Sequence, residues 1–379
     1  MDILVLNTEF EMVGIIDSYI SLIWTDRYNE AGDFEILLPM DTPALRFIKE
    51  DYYLINNNSE HVMIIEDMYI TTDVEQGKRL KITGYSLEKI LDRRIVWNKT
   101  SFTKTYESDG ITVATTPLLQ DAIEQLIKDN ITTPTMAARK ISNFVFEKST
   151  DEAITSQEIE AQYRGESIYE IVSSLCKERQ IGFKMVLNSS NQFVFSLYAG
   201  VDRTYDQLKN PYVVFSPDND NLFNSTYCKA RSSFKNVVLV VPEESDDESK
   251  ASYQDPVVVG NELGLARRET FADGSDISIT VDDTTLTPTQ YRAHLKQRGI
   301  DTLIENLEYE AFEGEVEATI MYKYGEDFFM GDYVQIEDEY GHQGQAYISE
   351  FIISQDTSGI NMYPTFITLQ EGDYDTYDN

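Results

Sequence analysis

The chain has 379 residues, long enough for two to four domains, and its 41% apolar and 12% aromatic content excludes a disordered polymer. Sixty-six acids against 31 bases leave a net charge of −35, a field that repels nucleic acid and anionic membrane surfaces and argues against DNA-reading or membrane-binding roles. No apolar run reaches the length of a membrane span, MDILVLNTEF lacks the basic start of a secretory signal, and two cysteines do not make a disulfide framework, so folding in a cytoplasm is expected.

Residues 1–98 read as mostly β. Strands are expected at 3–6, 12–16, 21–25 and 34–38, the last closed by Pro39, with two more between 51 and 73 and another at 79–85. Short strands with turns every eight to twelve residues suit a small barrel or a sandwich. SLEKILDRR then reads as a short helix ending in Arg93 and Arg94.

Residues 99–209 form an α+β unit. Thr116-Pro117 is a cap followed by a first-turn proline, and Leu119, Ala122, Ile123 and Leu126 recur at helical spacing. Ser167 and Glu170 fit a capping box for a second helix, and 183–187 with 193–198 fit a hairpin. Strands return from 210, at 212–215, 225–230 and 236–241. PEESDDESKASYQDP follows as an exposed acidic loop. Thr287-Pro288-Thr289-Gln290 caps the longest helix, and 313–321 reads as a strand. The pattern divides the chain into 1–98, 99–209, a second β domain of 210–241 plus 309–371, an insertion at 242–308, and a loose tail at 372–379.

YKYGEDFFMGDYVQIEDEYGHQGQAYISEFIISQD, from Tyr322 to Asp356, reads as a strand at 328–330, a Gly-Asp turn, and alternating strands over 333–337 and 345–354. It resembles DYYLINNNSEHVMIIEDMYITTD. Asp51, Tyr52, Ile55 and His61 align with Asp332, Tyr333, Ile336 and His342 (332 − 51 = 281). After a two-residue slip, Ile65, Ile70 and Asp73 align with Ile348, Ile353 and Asp356, and Met68 with Phe351 (348 − 65 = 283). A genuine repeat and two unrelated hairpins of like composition both fit this match.

Motifs for chemistry are sparse. The histidines are His61, His294 and His342; none has a helical ligand partner, and His61 and His342 are expected in solvated hairpin loops. Cys176 and Cys228 fall on an apolar helix face and in a strand, where core packing is expected. There is no Gly-x-Ser-x-Gly elbow and no P-loop, and DNDN at 218–221 lacks the spacing of an EF-hand. No catalytic, cofactor or metal residue is assigned, which favours a structural or binding role over an enzyme.

LIWTDRYNEAGDFEILLP, SLEKILDRRIVWN, YAGVDRTYDQ, NPYVVFSPDNDNL and AFEGEVEATIMYKYGEDFFMGDYVQIEDEYG occur in this order along nearly the whole chain. They resemble the tail-tip (baseplate) hub proteins of siphophages and prophages of Gram-positive bacteria, including the N-terminal part of tail-associated lysins. The resemblance implies a β-rich α+β chain with two related small β-barrel domains, an α/β domain between them and a small α/β insertion in the second barrel. It implies a virion protein without cofactors, a homotrimer whose six barrel units cap a hexameric tail tube and match sixfold to threefold symmetry. Expected partners are the tail-tube and distal tail proteins, and a fibre, tip or lysin protein below the hub. DNA would pass in transit on ejection, through a lumen to which the acidic field is suited, and there is no membrane span. The chain ends soon after the second barrel, so a lytic domain is expected on another chain.

Candidate interface residues are Trp24, Arg27, Phe34, Arg93, Arg94 and Trp97 in the first barrel and Asp332, Tyr333 and Tyr340 in the second. Trp24 and Phe34 lie on strands that must bury something, so core packing competes with an interface role. The alternatives are a contractile phage or bacteriocin hub, a carbohydrate-binding host-attachment module and, more distantly, a two-carboxylate glycoside hydrolase.

Overall fold

The computed structural model describes all residues except 41–42, 74–76, 107–112, 245–246, 282–283, 316–320, 338–342 and 369–379. Seven strands form the first β half: β1 (Ile3–Leu6), β2 (Met12–Ile16), β3 (Ser21–Arg27), β4 (Asp33–Pro39), β5 (Tyr53–Asn56), β6 (Val62–Asp73) and β7 (Gly77–Ser86). Six form the second: β8 (Val214–Phe215), β9 (Phe223–Ala230), β10 (Tyr309–Glu315), β11 (Tyr333–Glu337), β12 (Gln343–Asp356) and β13 (Gly359–Thr368). The two halves are not separate sheets. They are one thirteen-stranded sheet in the order β9-β10-β13-β12-β3-β4-β7-β6-β5-β1-β2, with β11 on β12 and β8 on β11.

The halves meet where β12 pairs antiparallel with β3, from Glu350 opposite Arg27 to Gln355 opposite Leu22. Both strands alternate, so Leu22 and Trp24 on β3 and Phe351 and Ile353 on β12 fall on one face and are buried, with Trp24 directly opposite Ile353. One core takes side chains from both halves, among them Trp24, Phe34, Ile36, Phe215, Val334, Ile348 and Phe366. Each fully buried aliphatic or aromatic side chain there contributes about 1.5–3 kcal/mol.

The internal repeat is present in the backbone, with one correction. β6 has a bulge between Ile65 and Asp67, and β12 has one between Ile348 and Glu350 (348 − 65 = 283). On the strand before it, the spacing is 280 rather than 281. Asp51 N–H donates to the Ile65 carbonyl and Ile65 N–H to the Tyr52 carbonyl; Gly331 N–H donates to the Ile348 carbonyl and Ile348 N–H to the Asp332 carbonyl (331 − 51 = 280). Asp51 and Gly331 both sit at positive φ, 63° and 86°. Pairing Leu54 with Val334 keeps both side chains in the core, whereas pairing Ile55 with Ile336 would turn one outward. The partner proposed for His61 lies at 342, outside the described residues.

The α+β unit contains helices α1 (Leu119–Ile127) and α2 (Ile168–Glu178) and the expected hairpin, Gly182–Leu187 with Phe193–Tyr198. A strand at Phe144–Glu147, which the pattern did not mark, adds parallel to it. Its core includes Val62, Ile64, Leu87 and Leu91, so the unit packs directly on the outer face of β6. Two expected caps differ: α1 starts after Leu118 with no side-chain cap, and the Ser167 hydroxyl donates to Asp92 Oδ1 (2.5 Å) rather than capping α2.

The strand read at 236–241 does not join the large sheet. Val237–Pro242 pairs instead with Val257–Val259 and with Glu269–Gly274, and α3 (Pro288–Ile304) packs on this small sheet. A buried all-valine face, Val238 and Val240, needs a helix over it, and Tyr291, Leu295 and Leu303 supply that cover. The Thr287–Gln290 capping box is present in both directions. A short 3-10 helix, Glu248–Tyr253, lies in the acidic loop. Residues 328–330 form no strand: Phe328 makes a single bridge to Tyr324 ahead of the turn at Met330 and Gly331, and residues 316–320 of the strand expected over 313–321 lie outside the described residues.

Candidate interface site

Arg27 sits at the join between the halves. Its Nε donates to Glu350 Oε1 (2.6 Å), its Nη1 lies 2.9 Å from Asp33 Oδ1, and Nη1 also donates to the Ala31 carbonyl (3.0 Å). Arg27 and Glu350 are register partners across β3 and β12, so the pair locks the join in place. Beside them opens a cleft of about 320 Å³, with Glu30, Lys177, Glu308 and Tyr347 also in its wall.

Tyr28, the next residue, ties three parts of the molecule together. It is buried; its hydroxyl donates to the Gln180 carbonyl (3.2 Å) and accepts from Gly200 N–H (3.0 Å). Its ring lies against Gly182 and Gly331, where a Cβ would stand 2.3 and 2.2 Å from ring atoms. Burial pushes its phenol far above the ordinary range. Asp332, which follows Gly331, is also buried. Its Oδ1 accepts from Val201 N–H (2.7 Å), and its Oδ2 accepts from Phe329 N–H (3.0 Å) and Arg203 Nε (2.5 Å). It organises the turn before β11 and anchors the segment leaving the α+β unit.

The first half holds a different buried polar cluster. His61 is buried rather than solvated, and its Nδ1 is 3.0 Å from Glu88 Oε1. Glu88 Oε1 also accepts from Met185 N–H (2.7 Å), binding the first half to the α+β hairpin. Asp26 accepts from the Ser59 hydroxyl (2.7 Å to Oδ2) and from Trp24 Nε1 (3.2 Å). Burial alone would lower the His61 pKa, but Asp26, Glu88 and Glu60 outweigh it and raise the imidazole to about 9. For Glu88, burial favours the neutral acid, yet the His61 charge and the hydrogen bonds win and hold it below the usual range. Burial, the largest influence on Asp26, raises its carboxyl.

The remaining sequence candidates divide by depth. Trp24 and Phe34 are core residues, inaccessible to a partner. Arg93 pairs with Asp51 (3.2 Å) and Glu66 (2.6 Å), clamping the β6 bulge. Arg94 Nε donates to the Arg139 carbonyl (2.8 Å), and the Arg139 guanidinium lies 4.9 Å from the Trp97 ring centroid. Trp97 is 52% exposed. The Tyr333 hydroxyl donates to Gln180 Oε1 (3.2 Å), and Tyr340 lies outside the described residues. Sequence reasoning missed Tyr28, Glu88 and Asp26. The Gly residues that make room for the Tyr28 ring were the only available signal, and they are far apart in the chain. Cys176 is buried, with burial raising its thiol well above the ordinary range, and Cys228 is half-buried; both are free. Tyr205 and Tyr212 are exposed but meet edge to face, 5.5 Å between centroids, not as a flat platform.

Comparison with known proteins places this architecture. The family described as siphovirus ReqiPepy6 Gp37-like protein matches residues 2–366. The chain belongs to this siphovirus family. Three solved structures share its fold. The 43 kDa tail protein of prophage MuSo2 from Shewanella oneidensis is 11% identical with a TM-score of 0.54, covering 97% of this chain and 98% of that one. A tail protein from Neisseria meningitidis MC58 is 10% identical with a TM-score of 0.53, covering 98% and 97%. Prophage tail protein gp18 from Listeria monocytogenes EGD-e is 13% identical with a TM-score of 0.51, covering 98% and 95%. No curated protein matches. The family assignment agrees with the resemblance carried by the sequence motifs, and the shared fold with its β-rich α+β class. Among the described residues no helix is long and apolar enough to cross a membrane.

Proposed function

We propose that the chain is a structural component of a phage tail tip, a homotrimeric hub without catalytic turnover. Three copies, each with two β half-units, give six similar units, which suit a hexameric tail tube or distal tail protein on one side and a threefold fibre or tip on the other. The observation that carries this reading is the repeat itself: one chain holds two copies of the same bulged strand pair, each preceded by a residue at positive φ. The shared fold with three tail proteins, two of them from prophages, supports it. The net charge of −35 suits a channel through which DNA passes without adhering.

Light scattering on the purified chain over a range of concentrations tests it, alone and with the tail-tube or distal tail protein. The expected result is a mass near three times 43.5 kDa for the chain alone, or a complex holding three copies of it when the partner is present. A single-chain mass in both overturns it. The edge-to-face geometry of Tyr205 and Tyr212 keeps that pair from forming the flat stacking platform that the carbohydrate-binding alternative would use.

A further inference from the structure

The internal join predicts the external one. In the second half, the stretch of β12 beyond its bulge has β13 on one side and β3 on the other. Its first-half equivalent is β6 from Asp67 onward (350 − 67 = 283). That stretch has β7 on one side, while β5 stops at its pairing with Val62–Ile64, so among the described residues its other edge is open. The burial differs accordingly. Ile353 is fully buried, whereas its equivalent Ile70 is 65% exposed and Tyr69 is 49% exposed.

The complementary edge is at the opposite end of the sheet. The pairing order carries the repeat across it: β7 corresponds to β13, β4 to β10 and β3 to β9. Trp24 opposes Phe34 and Phe34 opposes Gly84; Tyr227 opposes Phe312 and Phe312 opposes Phe366. So β9 corresponds to β3 with a spacing of 203 residues (227 − 24 = 203). β9 is the last strand of the sheet, paired only with β10 among the described residues. Among the described residues the chain therefore displays, without a strand partner, one copy of each of the two edges that it joins internally.

We infer that β9 of one copy pairs antiparallel with β6 of the next, in the register of the internal join. Asp67 then opposes Ala230 of the neighbouring copy, Met68 opposes Lys229, Tyr69 opposes Cys228, Ile70 opposes Tyr227 and Thr71 opposes Thr226. The pairing is head to tail, so it forms a closed ring rather than a filament only if the rotation closes; the count of three rests on the hub reading, whereas the register does not. Open edges with exposed large apolar residues are aggregation-prone when left uncovered, and a second copy of the chain carries the matching edge. The Tyr28 N–H to Ser349 carbonyl bond fixes the alternation along the internal join, and places Thr25 opposite Ile352 at a non-hydrogen-bonded position. Tyr69 and Cys228 inherit that position, where Cα atoms are closest and a disulfide fits.

The test uses the full chain with Tyr69→Cys and the native Cys228. Mild oxidation should link copies through 69 and 228, with the ladder on a non-reducing gel ending at three chains. Adding Cys228→Ser should abolish the links, and Met12→Cys, on the far edge strand β2, should give none. A second variant, Ile70→Lys, should keep the single-chain circular dichroism and weaken self-association tenfold or more. A particle of three chains in which neither variant has its effect overturns the register and leaves the hub reading standing. A chain that stays single even with the tail-tube or distal tail protein overturns both.

Discussion

The two β halves share a backbone plan and differ in what covers it. After equivalent bulges, β12 is sealed by β3 of its own chain, while β6 has no strand on the corresponding side among the described residues. Phe351 and Ile353 are buried, and their counterparts Met68 and Ile70 are half-buried and exposed. The halves also solve the approach to the bulged strand differently. The second half uses Gly331 at φ 86° and the buried Asp332 carboxylate; the first uses Asp51 at φ 63°, with Arg93 bridging Asp51 and Glu66 from outside. A repeat thus preserves the hydrogen-bonded frame more faithfully than the side chains that stabilise it.

The largest expected effects come from the buried polar groups. Glu88→Ala leaves His61 and Met185 N–H without their acceptor, and should destabilise the chain by roughly 3–5 kcal/mol in urea titration. Asp332→Ala should cost about as much, since it strands Arg203 and two backbone donors. A loss under about 1 kcal/mol at either site would break the claim that each half is anchored by its own buried carboxylate.

Ile353→Ala against Ile70→Ala sharpens the edge comparison. In dilute, dissociated protein the first should cost about 2–5 kcal/mol and the second within about 0.5 kcal/mol. Equal costs would mean that β6 is covered within the single chain.

A pH profile separates the halves further. The His61 pKa stands at about 9, above its ordinary value of 6.5. Its contribution to stability is complete below about 6.5 and is lost as pH rises through 9. Urea midpoints from pH 6 to 10 should fall in the native chain and be flatter in His61→Asn. The smallest expected effect is at Lys81 and Glu35, a half-exposed pair 2.9 Å apart on β7 and β4: Lys81→Ala should cost about 0.2–1 kcal/mol, less at high salt.

Strand existence was legible because alternation is local: the expected strands at 21–25, 34–38 and 79–85 fall inside β3, β4 and β7. The Thr287 cap was legible for the same reason. The sheet's continuity was not, since nothing in Leu22–Arg27 names Glu350–Gln355 as its partner. The one-residue error in the repeat arose because DYYLIN and DYVQIE align best by letter at 281, while the hydrogen bonds fix 280. Val237–Pro242 read as a strand but not as a parallel one, because register with Glu269–Gly274 depends on a partner thirty residues away. His61 was misplaced because a loop histidine was assumed to be solvated; the acids that hold its charge come from β3 and from the short 3-10 helix after β7, Leu87–Arg93.

The β3–β12 join also bears on the thermodynamics of assembly. If a ring contains six such joints, covalent continuity has already formed three of them. Assembly then immobilises three bodies rather than six, and each association event avoided spares an estimated 4–15 kcal/mol of lost translational and rotational freedom. Inside one chain, β12 meets β3 at the high effective concentration set by the intervening polypeptide, so that joint persists at any dilution. Only the β6–β9 joint has to be concentration-dependent, which makes it the step at which a tail-tip particle would be built or taken apart.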